Sequence, residues 1–118
     1  MALNVDIAPT VCSLAGIPAP EGMQGRDLSP LLHGESPDWR TDWFYEHLFD
    51  HPSIPRSEGV RTERWSYWRY IDEEPPVERL FDLENDPDQI HNLAGSPDAA
   101  DIRKDLVERW KRYREKLR

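Results

Sequence analysis

Apolar and polar residues partly alternate along Arg79-Leu80-Phe81-Asp82-Leu83, the period of a short half-buried strand. Glu84-Asn85-Asp86-Pro87-Asp88 breaks that pattern. Asn and Asp side chains bond their own backbone in turns, and Pro87 removes a ladder donor and restrains Asp86. Ile90 and Leu93 then give the chain two anchors back onto a core, so Glu78 to Ala94 reads as a strand, an acidic turn and a re-pinned segment. Further upstream, Gly59 to Ile71 predicts a hairpin whose turn runs from Thr62 to Trp65. Val60 and Thr62 share one side of its first arm, and Tyr67, Arg69 and Ile71 alternate with Trp68 and Tyr70 in its second. Aromatics on both faces of that second arm predict a central or doubly covered strand. Thr41 to Leu48, rich in aromatics, supplies a first strand, and Glu78 to Leu83 the last.

The 3.6-residue period governs both ends of the chain. Ile102, Leu106, Trp110, Tyr113 and Leu117 fall on one stripe of a helix predicted over 96–118. Ser96 suits the N-cap, Pro97 suits N1, and Asp98 and Asp101 complement the positive end of the helix dipole. Asp105–Arg109 and Glu108–Arg112 stand at i,i+4 with the favourable polarity. At the other end, 4–15 predicts a helix with Asp6 as N-cap, Pro9 in the first turn and Gly16 as the residue after the C-cap. Its positions are apolar nearly all round, which calls for burial on more than one side. Little of this chain is left to cover it. Between these parts, 17–25 is a Pro/Gly connection, and 27–32 could make one helical turn capped by Asp27 and ended by Gly34. Trp39 is expected to plug the polar loop at 35–40, and 51–57 and 72–77 are proline-stiffened loops. The sum is an α+β fold: a small antiparallel sheet of about four strands packed on a long C-terminal helix and preceded by a separate helix. Residues 1–34 are expected to belong apart from 35–118.

Composition narrows the function classes. The 118 residues carry a formal net charge of −8, which argues against nucleic acid or an anionic membrane as partner. The acidity is uneven: from Pro97 onward eight Lys/Arg face five Asp/Glu, leaving seven against eighteen before it. No apolar run approaches the roughly 20 residues that span a bilayer, and Met1 does not open a signal peptide. Compartment is left undetermined. Cys12 is the single cysteine, so no intrachain disulfide can form.

The search for chemistry finds fragments of sites. Cys12 sits in an apolar helical stretch without the exposure and positive neighbours a reactive thiol needs. Glu46, His47, Asp50 and His51 are the densest set of possible metal ligands; His47 and His51 would share a helix face, yet the aromatics around them indicate a strand and Pro52 a loop. Asp82, Glu84, Asp86 and Asp88 alternate like a calcium loop, but Pro87 replaces the glycine such a loop needs. There is no H-E-x-x-H, glycine-rich phosphate loop or G-x-S-x-G element. The residues supply no metal site and no assembled catalytic constellation.

Several segments, taken together, resemble the carboxy-terminal portion of a type I sulfatase, the arylsulfatase-like family of the alkaline-phosphatase superfamily. They are Val5-Asp6-Ile7-Ala8-Pro9-Thr10 with Leu14-Ala15-Gly16-Ile17, then Met23-Gln24-Gly25-Arg26-Asp27-Leu28 with Pro30-Leu31-Leu32. Trp39-Arg40, Tyr45-Glu46-His47 and Gly59-Val60-Arg61-Thr62-Glu63-Arg64-Trp65 follow, and Leu80-Phe81-Asp82-Leu83-Glu84-Asn85-Asp86-Pro87 with Asn92-Leu93-Ala94 completes the series. The resemblance implies a small sheet-and-helix domain placed after a large α/β domain, to which the first helix would belong. It implies a parent that hydrolyses sulfate esters, of a sulfated carbohydrate or an aryl sulfate, with a formylglycine made in a C/S-x-P-x-R motif beside a calcium ion. Cys12-Ser13-Leu14-Ala15-Gly16 lacks both the Pro and the Arg, so no catalytic residue is assigned in this chain, which is expected to be inert alone. Because the small domain can border the substrate cleft in that family, the resemblance makes His47, Arg56 and Arg61 candidates for binding a sulfated sugar, since His and Arg suit sulfate oxygens. A plainer role in holding strands and loops together competes for each. Where relatives often carry Tyr-Lys-Tyr, Trp65-Ser66-Tyr67-Trp68 has no lysine. The expected partner is a missing N-terminal sulfatase domain, or a second copy through Val5–Ala15; a stand-alone interaction or dimerisation module is the alternative.

Overall fold

A computed structural model describes residues 1–117 and resolves them into two compact units, Met1–Arg40 and the part from Thr41 onward. In the first unit a 3-10 turn, Asn4–Asp6, leads into α1, Ile7–Leu14, and a single further turn forms α2, Ser29–Leu32. Gly16, at φ 69°, ends α1: its N–H bonds Ser13 O and that of Ile17 bonds Cys12 O, both at 3.0 Å. The left-handed residue the two bonds require is the reason a glycine stands there.

Asp6 stands at the start of α1 but makes no side-chain cap bond to it, which corrects the expected N-cap. Its carboxylate accepts the N–H groups of Leu3 at 2.7 Å and Arg26 at 2.8 Å and forms a two-pronged ion pair with Arg40. Thr10 accepts the N–H of Leu28 at 2.8 Å while donating to Asp6 O at 2.6 Å. α2 starts later than the expected 27–32, with Leu28 rather than Asp27 at its N-cap, though Asp27 accepts from Ser29 N at 2.8 Å. Trp39 closes the unit by donating from Nε1 to Met1 O, which groups 35–40 with this part of the chain. The enclosed side of α1 is therefore polar and small: Asp6, Pro9 and Thr10. Ile7, Val11 and Leu14 stay 60%, 59% and 62% exposed, so their own unit does not supply the burial on several sides that their pattern calls for.

The second unit is a four-stranded antiparallel sheet in chain order, β1 Asp42–His47, β2 Ser57–Thr62, β3 Trp65–Tyr70 and β4 Glu78–Asp82, with α3, Ala100–Leu117, behind it. The register sets Phe44, Val60, Tyr67 and Leu80 side by side across all four strands. Leu106 and Trp110 of α3 complete this core, with Ile102, Val107 and Tyr113 packed around it. One step toward the other end of the sheet lies a charged row, Glu46, Glu58, Arg69 and Glu78. Helix side chains engage two of its acids: Glu58 accepts from Trp110 Nε1 at 3.0 Å and pairs with Arg114 at 3.2 Å, and Glu78 accepts from Arg103, as well as from Tyr67 Oη of β3.

The acidic turn behaves as its residues dictate. Asp82 accepts from Arg64, Asn85 and the N–H of Glu84, and Asp86 accepts from the N–H groups of Ile90 and His91. Asn92 then lies along the free edge of β4, accepting the N–H of Leu80 at 2.9 Å and donating to Glu78 O at 3.2 Å. Two local expectations are corrected at α3. Ser96 makes no side-chain cap bond and the helix starts with a 3-10 turn, Pro97–Ala99. Glu108 reaches Lys111 at 2.9 Å rather than Arg112, while Asp105 pairs with Arg109 as expected.

Candidate functional site

The face of the sheet opposite α3 carries three rows: Trp43, Arg61, Ser66 and Phe81; Tyr45, Gly59, Trp68 and Arg79; His47, Ser57 and Tyr70. Strand alternation alone produces this segregation. At its centre a Cβ on residue 59 would lie 2.5 Å from the Tyr45 ring, 2.5 Å from Tyr67 O and 2.7 Å from Trp68 Cβ, so the aromatics close over a position only glycine fills. Burial beneath this layer pushes the Tyr45 phenol up, with Tyr70 adding to the rise and Arg61 opposing it.

The structure sends the three candidate residues to different places. His47 ends β1 and lies opposite Ser57; Arg56 immediately precedes that residue, so both stand at one end of the sheet. Arg61 is four residues further along β2, about 13 Å away at strand rise, beside Trp43 and Ser66. Arg61 is exposed and has no ion pair among the described residues. Arg56 is committed locally. Its guanidinium grips Asp72 through two bonds, one of 2.8 Å from Nε, which raises the arginine pKa and lowers that of the aspartate. Its carbonyl also accepts from Ile71 N at 3.1 Å. His47 has the opposite problem: its Nε2 is enclosed without a hydrogen-bond partner.

Residues the sequence reading passed over complete this end of the sheet. The Phe49 ring stands 6.4 Å from His47 and 6.2 Å from His51, nearly parallel to the latter at 26°. Phe49 is 66% exposed, and Leu48 and Ile54 beside it are 43% and 48% exposed. The loop is ordered by its own bonds: Ile54 N donates to His51 O at 3.2 Å and Ser53 N to His51 Nδ1 at 3.1 Å. The aromatic spacing 47, 49, 51 was the available signal. Among the described residues no group of three or more His, Cys, Asp or Glu is placed to hold a metal ion.

A concavity of about 400 Å³ lies between the β2–β3 turn and α3 and includes Thr62, Arg64, Trp65, Asp105 and Arg109. Its arginines are engaged, Arg64 with Asp82 and Glu84 and Arg109 with Asp42 and Asp105. Cys12, the single thiol, lies within α1 and is partly covered.

Comparison with known proteins gives a consistent set of relatives. A family described as N-sulphoglucosamine sulphohydrolase, C-terminal, matches residues 1–116. An N-acetylglucosamine-6-O-sulfatase of Bacteroides thetaiotaomicron is 32% identical over 114 residues, covering 92% of this chain and 20% of that protein. Human arylsulfatase K is 35% identical over 101 residues, covering 76% of this chain and 18% of its own. A solved structure described as a complex with its substrate D-glucosamine-2-N,6-O-disulfate superposes with a TM-score of 0.85 at 28% identity, covering 95% of this chain and 24% of that one. The phosphonate monoester hydrolase of Agrobacterium radiobacter follows with a TM-score of 0.76 at 27% identity, covering 94% and 24%. The chain thus spans about a fifth to a quarter of the length of the relatives it matches.

Proposed function

Because the chain belongs to the N-sulphoglucosamine sulphohydrolase C-terminal family and is a C-terminal sulfatase domain, we propose that it serves a sulfuric ester hydrolase as the structural, cleft-bordering part and is inert alone. The observation that carries this reading is the match over 1–116 in a chain that spans only a fifth of its relatives and holds no C/S-x-P-x-R segment. Cys12 does not substitute for that segment: it lies inside α1, and neither the Pro nor the Arg of the motif follows it. The formylglycine and calcium of the parent would therefore be held by residues outside this chain, and no chemical step is assigned here. The substrate class is a sulfated carbohydrate, as in the names of the sugar sulfatases it resembles, or an aryl sulfate.

Within this reading His47, Arg56 and Arg61 are the proposed contributors to substrate binding. The geometry supports them unequally. His47 and Arg56 share one end of the sheet, with the enclosed Nε2 of His47 lacking a partner, whereas Arg61 would act from the opposite end with its charge unspent. The proposed partner is the remainder of the sulfatase, seated on the apolar stripe Ile7, Val11 and Leu14 of α1.

Two measurements test the proposal. The purified chain should give no turnover of p-nitrophenyl sulfate, and the reading frame upstream of Met1 should encode a C/S-x-P-x-R segment. A stop close upstream with no sulfatase sequence beyond it removes the parent. The exposed α1 stripe favours one second reading, a stand-alone dimerisation module. Sedimentation would then give a dimer that Val11→Asp dissociates; a monomer insensitive to that change excludes it.

A further inference from the structure

Phe49, His51 and Ser53 make a small ordered arrangement that nothing so far assigns. Phe49 is 66% exposed, and its ring centroid lies 6.4 Å from that of His47 and 6.2 Å from that of His51. His51 Nδ1 accepts the N–H of Ser53 at 3.1 Å, so in the neutral imidazole the proton sits on Nε2 and that nitrogen is a donor. His51 is itself exposed. The loop therefore presents a largely exposed aromatic ring with one fixed N–H donor on the neighbouring imidazole. The Asp72 grip on Arg56 and the His51–Ile54 bridge hold its base, so little ordering is lost when a ligand arrives.

We infer that Phe49 and His51 form a lip that stacks the apolar face of a sugar ring, with His51 Nε2–H donating to an oxygen of the sugar or of its sulfate ester. The inference rests on the sulfated-sugar reading above and deepens it. A flat apolar ring face beside a single oriented polar group is the chemistry of a carbohydrate subsite, in which the aromatic supplies contact area and the donor fixes orientation. Phe49, absent from the candidate residues, becomes a specificity-determining residue. His47, with its ring 6.4 Å away, remains a candidate substrate contact beside it.

Titrating the isotope-labelled 118-residue chain with D-glucosamine 6-sulfate, followed by amide and imidazole NMR signals, tests this directly. Saturable shifts are expected over residues 47–53 and at the His51 ring. Phe49→Ala should weaken binding about fivefold or more, Phe49→Tyr should retain it, and Arg112→Ala on α3 should leave it unchanged. The lip is overturned by an absence of shifts at saturating sugar. Equal affinity of Phe49→Ala, or the same shifts with sodium sulfate alone, overturns it too. Such a failure leaves the parent-sulfatase proposal standing, since that falls only on the upstream reading frame and the activity assay.

Discussion

The indole N–H of Trp110 donates to the carboxylate of Glu58 at 3.0 Å, joining α3 to the second strand at a side chain that is wholly buried. Arg114 pairs with the same oxygen at 3.2 Å, and the guanidinium carbons of Arg69 and Arg114 stand 4.6 and 5.0 Å from the Trp110 ring centroid. A buried carboxylate is tolerated here because donors and cations surround it. Removing the acid leaves the indole N–H and a guanidinium unmatched. Glu58→Ala should therefore lower unfolding free energy by about 3 kcal/mol or more, against about 1–2 kcal/mol for Trp110→Phe, which keeps most of the ring. Urea denaturation of the two variants checks the order; equal losses would show that the buried acid is not held by the bonds described.

Asp6 makes the first unit pH-sensitive. Its hydrogen bonds with Arg40 are the main cause, and its pKa falls from 3.8 to about 2. A carboxylate depressed on folding stabilises the fold above its unfolded value and loses that contribution as pH falls through the folded one. The unit should be stable at neutral pH and lose about 2 kcal/mol between pH 4 and pH 2. The emission of Trp39, isolated by replacing the other tryptophans with Phe, reports the loss. Asp6→Asn should abolish the pH step, and a step that survives in that variant assigns it elsewhere.

Gly59 is required by close approach. A methyl group there meets the Tyr67 carbonyl and the Tyr45 ring at 2.5 Å. Gly59→Ala should cost about 1–3 kcal/mol through forced strand and ring shifts. Thermal melts followed by circular dichroism at the aromatic bands should show a lower Tm and altered near-ultraviolet signal. An unchanged melt would mean the two rings move aside freely.

Asn92 stands in for a strand. Its amide accepts from Leu80 N at 2.9 Å and Ala94 N at 3.1 Å, and donates to Glu78 O at 3.2 Å. Asn92→Ala should cost about 1–3 kcal/mol and unprotect the Leu80 amide, measurable by hydrogen exchange. Asn92→Asp should keep the Leu80 bond and lose only the donor, giving the smaller effect.

Much of the fold was legible because it depends on local periods. The alternation in 59–71 and 78–83 and the stripe 102–117 each match a formed element, since a side chain's face follows from its position in a strand or helix. Glycine's tolerance of a left-handed backbone located Gly16 and Gly34 as helix ends, both at positive φ. The capping at Ser96 and the Glu108 pairing were misread because a 3-10 start and an i,i+3 alternative compete at similar energy. At the candidate site, His47 and Arg61 share a sheet face, but which residues sit near each other depends on register. Phe49 was missed because exposure and ring stacking are properties of a loop conformation.

The sequence by itself determined the strands, the helices, the acidic turn and the kinship with sulfatases, because these rest on residue order and on spacings within a few positions. Only the tertiary structure decided that Asn92 closes the β4 edge, that Glu58 is sealed under Trp110, and that Asp6 ties together three separate stretches of its unit. It also decided that Ile7, Val11 and Leu14 find no cover within their own unit. Those facts turn on which distant groups meet, and a donor's or an apolar face's partner is set by packing in three dimensions, where local pattern carries no distance.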